Sequence, residues 1–191
     1  MGWWVPSGRS LLSRVASGKP GGVTVSKARL SVRALEPTDG VAAVAVINTA
    51  AAWYADFLAP SELHGPEMTL ESWTAESRRL TWFGAFDHGE LVGVIGLEYA
   101  ADAALFRHAY VLPDHQRQGI AAMLHQHLVG EVRDVDKIIV GTYAANYKAR
   151  DALTKGGYQL SEDSEAVLRR YYDIPEDRLQ TSVTYERHLD R

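Results

Sequence analysis

Tyr110-Val111-Leu112-Pro113-Asp114-His115-Gln116-Arg117-Gln118-Gly119-Ile120-Ala121-Ala122-Met123-Leu124-His125-Gln126-His127-Leu128 carries the change of pattern on which the fold turns. Strand formers run up to Pro113, which cannot donate to a ladder. After a short polar link, apolar residues recur at Ile120, Ala121, Leu124 and Leu128 with a helical period. The stretch therefore reads as strand, tight loop and helix. Within the loop, Gln116-x-x-Gly119-x-Ala121 keeps bulky side chains away from the opening helical turn. The first N–H groups of a helix have no partner inside it and sit at the positive end of its dipole. A phosphate or pyrophosphate fits there, held mainly by backbone, with Arg117 supplying a nearby full charge.

Upstream, Ala103 to Leu112 is the strand that enters this motif. Before it, Trp82–Phe86 and Leu91–Tyr99 are joined by Asp87-His88-Gly89-Glu90, a hairpin signal. Leu30–Ala34 alternates as a first strand, and Thr38 or Asp39 is placed to cap a helix through Ala52, with Val41, Val44 and Ile47 predicted to face the core. A second helix, capped by Thr69, is expected to reach about Leu80. Downstream, Lys137–Thr142 reads as a buried strand, and Tyr147–Lys155 as a helix ended by Gly156-Gly157. An inserted helix over Ser164–Tyr172 and a turn opened by Pro175 precede a last strand, Ser182–Glu186.

The length of 191 residues and an apolar fraction of 46% fit one globular domain with a proper core. No run approaches the ~18 consecutive apolar residues of a spanning helix, so no membrane partner is expected. With no cysteine, thiolate catalysis, disulfides and Cys-based zinc sites are excluded, which suits a reducing, cytoplasmic setting. Net charge is −4, but six basic residues precede the first acidic one, Glu36, leaving 14 basic against 24 acidic residues in the rest. An acidic body argues against nucleic acid as a partner and suits a cationic or amine substrate. Residues 1–28, rich in Gly, Ser and basic side chains, read as a flexible extension that is dispensable for folding. Residues 29–191 form the single domain.

Gln116-x-x-Gly119-x-Ala121, following a Val-Leu-Pro strand end and opening an amphipathic helix, resembles the acyl-CoA signature of the GNAT superfamily of N-acetyltransferases. The element order from about Leu30 to Arg187 resembles theirs as well. The resemblance implies a mixed α/β (α+β) fold with a mostly antiparallel central sheet, splayed at strands 4 and 5, and helices on both faces. It implies acetyl-CoA as cosubstrate, with Val111, Leu112, the Gln116–Ala122 loop and Asn146 around it. Asn146 begins the helix that ends in Gly157-Tyr158, at the spacing where the superfamily places an Asn on the CoA chain; Asn is also a good helix cap on its own. Two positions depart from the resembling enzymes. Leu153 stands where many carry a Tyr general acid, and Leu105 where some carry a Glu general base, so neither role transfers.

The proton chemistry must then come from elsewhere. His108, two positions before Tyr110, belongs to a residue type that titrates near neutrality and is placed to take a proton from an ammonium; it reads equally as a core histidine. A bulge in its strand would decide whether His108 or Arg107 faces the acceptor. Glu98 is a second candidate base or an exposed strand-end charge. Tyr143 is a candidate donor to the thiolate or a packing aromatic. Trp53, Tyr54, His64 and Glu67, between the first helices, and Tyr171 and Tyr172, in the late insertion, are candidate substrate contacts. His125 and His127 lie about 200° apart around a helix and cannot share a metal, so no metal is expected and a solvated surface is predicted for both.

These readings converge on an enzyme that moves acetyl from acetyl-CoA to a primary amine, on a small molecule or peptide, by direct attack. The alternative is a catalytically silent acyl-CoA sensor. A doubly wound nucleotide-binding domain is disfavoured because no Gly-x-Gly-x-x-Gly follows the first strand. Monomer and homodimer both remain open.

Overall fold

The computed structural model of the chain describes residues 30–63 and 65–189. The expected extension over 1–28 and the candidate His64 lie outside the described residues. Seven strands form one sheet in the order β1-β2-β3-β4-β5-β7-β6. They are β1 Leu30–Ala34, β2 Leu80–Asp87, β3 Glu90–Ala100, β4 Ala103–Val111, β5 Lys137–Tyr143, β6 Gln159–Leu160 and β7 Ser182–His188. Every pairing is antiparallel except β4 with β5. The helices are α1 Gly40–Ala51, α2 Leu70–Glu76, α3 Ile120–Glu131, α4 Tyr147–Lys155, α5 Ser164–Tyr171 and α6 Glu176–Leu179. Among the described residues no helix is long and apolar enough to cross a membrane.

The hairpin forms where its turn chemistry predicts. His88 and Gly89 both take positive φ, 52° and 93°, the twist that a two-residue connection between right-twisted strands requires. Side chains then alternate between two cores. On one face Trp82, Val94 and Tyr110 pack with Ala43, Val46, Ile47 and Trp73 of α1 and α2. On the other, Phe83, Ile95 and Val111 pack with Ile120, Leu124 and Leu128 of α3 and with Leu153 of α4.

Helix α1 buries Ile47 as expected, with Val44 packed against the same core, but not Val41. Ala43, Val46, Ile47 and Ala50 are its core residues, whereas Val41 is 70% exposed. The reason is close approach. A Cβ on Gly40 would stand 2.7 Å from the Trp73 ring, so the helix turns its small residues toward α2 and leaves its first valine in solvent. Helix α2 also stops at Glu76, short of Leu80, because Leu80 is taken into β2 opposite Glu98.

The feature that shapes the site lies in β4. Val94 faces Tyr110 and Gly96 faces Arg107, so Ile95 alone opposes both His108 and Ala109. This is a bulge, with His108 at φ 51°. The bent strand keeps parallel pairing with β5 only at Ala104–Ile138 and Leu105–Ile139, and the strands part beyond it.

His125 is not solvated as predicted. Its Nε2 lies 2.6 Å from the Tyr158 hydroxyl, and its ring meets the edge of Phe106 at 5.4 Å. Burial, helped by the charge of Arg187, pushes its pKa down to about 4. A histidine depressed on folding contributes stability that is full above its unfolded pKa near 6.5 and is lost as pH falls toward 4. Unfolding free energy from urea melts should therefore drop by about 2 kcal/mol between pH 6.5 and about 5, and His125→Gln should flatten that limb.

Candidate functional site

Two features meet where β4 and β5 part. The first is the loop into α3. Arg117 and Gly119 both adopt left-handed backbone, with φ 60° and 83°. The first helical bond is Met123 N–H to Gly119 C=O at 3.0 Å, so the N–H groups of Ile120, Ala121 and Ala122 precede any carbonyl partner within the helix. The loop is braced from behind. Gln116 Nε2 donates to the Val111 carbonyl at 3.1 Å, and Gln118 Nε2 to the Asp114 carbonyl at 3.0 Å. Ile120 is buried in the core beneath, while Arg117, Gln118 and Gly119 are exposed and Ala121 and Ala122 partly so. Nothing lies within 4 Å of a Cβ built on Gly119, so its surroundings leave room for a ligand. Leu112 separates strand from loop and packs against both cores.

The second is a cleft on the opposite face, in two joined lobes that share Tyr54, Glu67, Tyr143 and Arg178. Glu67 Oε1 accepts from the Tyr110 hydroxyl at 2.9 Å, and Tyr54 and Tyr110 share a hydrogen bond at 2.9 Å. Because Tyr110 gives its hydrogen to the carboxylate, Tyr54 must donate to Tyr110. Burial, with the Glu67 charge beyond it, holds the Tyr54 hydroxyl well above its ordinary pKa; burial does the same for Tyr110, so the chain stays protonated. Tyr143 meets the Tyr54 ring at 5.3 Å, and burial raises its pKa against the opposing charge of Arg178.

His108 lines the same cleft. Its Nε2 lies 2.7 Å from Glu76 Oε2, and its ring lies over Trp82 at 5.2 Å. Burial alone would push the Glu76 carboxyl up, but the hydrogen bond from His108 and the charges of His108, Arg107 and Arg79 outweigh it, and the pKa is lowered. An ionised carboxylate only accepts. Nε2 therefore carries a hydrogen, and in the neutral imidazole Nδ1 is the accepting nitrogen.

Other candidates fall elsewhere. Glu98 is held by Arg79 at 2.6 Å and Arg107 at 2.8 Å, an ion-pair partner on both sides. Trp53 does not line the cleft; it packs on Phe57 and Tyr147, with the Lys148 ammonium 3.9 Å from its ring centre. Tyr171 faces the other way, donating to Asp102 at 2.6 Å, whereas its neighbour Tyr172 lines the cleft under Arg107. Leu105 and Leu153, at 0% and 1% exposure, are core residues. Among the described residues no group of three His, Asp or Glu is placed to hold a metal.

A bulged β4, a parallel partner that leaves it after two residue pairs, and an open glycine loop at the start of α3 are the arrangement that the resemblance to acyl-CoA-dependent acyltransferases implies. The acetyltransferase (GNAT) family matches residues 47–158, and the chain belongs to that family. Similar folds include the ribosomal-protein-S18-alanine N-acetyltransferase of Escherichia coli, at 19% identity and TM-score 0.63 over 85% of this chain and 95% of that one. The PaiA N-acetyltransferase of Thermoplasma acidophilum, solved in complex with coenzyme A, aligns at 16% identity and TM-score 0.62 over 83% and 98%. The N-acetylglutamate synthase of Neisseria gonorrhoeae, with coenzyme A and N-acetyl-glutamate, aligns at 19% identity and TM-score 0.63 over 87% of this chain and 36% of that one. No curated protein matches the chain in sequence.

Sequence reasoning missed Glu76, Tyr110 as a polar group, and Arg178. Glu76 lies 32 residues from His108 on an ordinary helix end, and nothing local marks the contact. Asn146 is fully buried, its Oδ1 accepting from Ala149 N–H at 3.1 Å and its Nδ2 donating to Thr142 Oγ1 at 3.3 Å. Its capping role is thus structural in its own right. Asn146→Ala should lower unfolding free energy by about 1–2 kcal/mol in chemical denaturation, and Asn146→Ser should recover most of it.

Proposed function

We propose that this acyltransferase moves an acetyl group from acetyl-CoA to a primary amine by direct attack. The observation that carries the reading is the His108 imidazole, displaced by the β4 bulge into the cleft and bonded through Nε2 to Glu76, so that Nδ1 remains to accept a proton. The CoA pyrophosphate sits on the backbone of the Gln116–Ala122 loop, with Arg117 beside it. The thioester lies in the gap between β4 and β5, where a backbone N–H near Val111 polarises its carbonyl. The amine enters from the Tyr54–Glu67–Tyr143 cleft.

His108 takes a proton from the ammonium, directly or through water. The nitrogen lone pair attacks the carbonyl carbon, the C–N bond forms, and the C–S bond breaks with the pair leaving on sulfur. Tyr143 or water then protonates the thiolate and receives in turn the proton that the new amide nitrogen sheds, while His108 releases its own to solvent. With Leu105 and Leu153 built into the core, no group at those positions competes for these roles. The N-acetyltransferases among the similar structures agree with an amine acceptor, on a protein or a small molecule.

His108→Ala should lower turnover, read as free thiol release, by at least about ten-fold with CoA affinity unchanged. Tyr143→Phe should cost less, since water protonates a thiolate readily. A His108→Ala rate within about two-fold of wild type would remove histidine from the mechanism.

Gly119→Glu should abolish CoA binding in calorimetry, because a carboxylate would occupy the pyrophosphate position. Arg117→Ala should weaken binding by about 1 kcal/mol or less, as befits one exposed charge. Unchanged affinity in Gly119→Glu would place the ligand elsewhere.

A further inference from the structure

The acceptor cleft contains a charge that the transfer chemistry leaves unused. Arg178 lies on α6, in the segment between β6 and β7, anchored by the buried Leu179 that follows it. It lines both lobes of the cleft. Arg33 pairs with Asp39, Arg79 and Arg107 with Glu98, Arg169 with Glu165 and Glu176, and Arg170 with Asp102, whereas Arg133, Arg150 and Arg187 donate to backbone carbonyls or a tyrosine hydroxyl. The guanidinium of Arg178 has no carboxylate partner among the described residues. It is half-buried, close enough to the Tyr54 and Tyr143 hydroxyls to oppose the effect of burial on both.

Glu67 borders the same two lobes. Its Oε1 is taken by the Tyr110 hydroxyl, and its Oε2 has no hydrogen bond among the described residues. Among the described residues, four charged side chains besides His108 line the lobes: Glu62 accepts from the Ala59 N–H at 2.9 Å, Arg107 is paired with Glu98 at 2.8 Å, and Glu67 and Arg178, each partly withdrawn from water, stand apart without pairing with each other. Partly desolvated charges without partners are costly, and a ligand that supplies both opposite charges offsets that cost twice. A simple alkylamine would satisfy Glu67 and leave Arg178 facing a second positive charge.

We infer that the acceptor is a primary amine that also bears a carboxylate, an amino-acid-like zwitterion, with its carboxylate on Arg178 and its ammonium on Glu67. The inference deepens the amine-acceptor reading and rests on it. Arg178 is a specificity-determining residue, since it touches the acceptor away from the reacting nitrogen.

The test sets each common amino acid against its own amide, in which only the negative charge is lost. Thiol release from acetyl-CoA is measured over the pairs, and the same probes are titrated by calorimetry into protein holding CoA. At least one acid should exceed its amide by about ten-fold or more in kcat/KM and in affinity. Arg178→Ala and Arg178→Glu should bring that ratio close to one, Arg178→Lys should keep part of it, and CoA affinity should serve as the folding control. Amides equal to acids throughout, a ratio that survives Arg178→Glu, or no binding and no turnover by any acid would each overturn the inference. Turnover of amides alone would overturn it while leaving amine transfer standing. Arg178-dependent binding of an acid without thiol release would instead support the ligand class and defeat the transfer reading.

Discussion

The parting of β4 from β5 is the constraint on which the rest depends. Two parallel strands would ordinarily satisfy each other's backbone along their whole length. Here the extra residue at His108 and Ala109 bends β4 after Leu105, and the ladder stops at Leu105–Ile139. Beyond it β4 runs on toward the glycine loop of α3, and the cleft is lined from both strands, by His108 and Tyr110 of β4 and by Gly141, Thr142 and Tyr143 of β5. One bulge therefore both makes the gap and turns the His108 ring toward Glu76.

The polar groups around the gap are organised in relays rather than as single residues. Tyr54 donates to Tyr110 and Tyr110 to Glu67, which leaves a carboxylate with one engaged oxygen at the cleft wall. Glu76 fixes the His108 tautomer, and Glu98 ties Arg107 and Arg79 together behind it. In a buried setting each such bond is worth more than in water, and so is each one left unmade. That asymmetry gives Arg178 its significance, because it stands in the same cleft without a carboxylate of its own.

Several residues show how packing overrides a pattern read one residue at a time. Val41 belongs to an apolar stripe by hydrophobicity, yet close contact between Gly40 and Trp73 rotates α1 so that Ala43 and Ala50 face inward. His125 looks like a surface residue beside Gln126, yet α3 presses it against Tyr158 and Phe106, and burial strips its charge at neutral pH. In both cases the decisive neighbour is remote in the chain.

Element order, the His88-Gly89 hairpin, the Gly119 loop and the α4 cap at Asn146 were legible in the sequence. Each rests on local physics: a period of two or 3.6 residues, a positive φ that glycine accepts, or an amide that caps the helix it precedes. The same reading named His108, Tyr143 and Tyr54 as separate site candidates, on the fourth strand, after the fifth and between the first helices. It had no means of locating the bulge, since two residues opposing one is a property of a pair of strands and not of either alone. Nor could it join Glu76 to His108, or set Glu67 across from Arg178. Those contacts link α2 to β4 and the α1–α2 connection to α6, and they exist only because the sheet brings distant segments to one cleft. Local chemistry was settled by the sequence itself; which charges share a site was decided by tertiary packing.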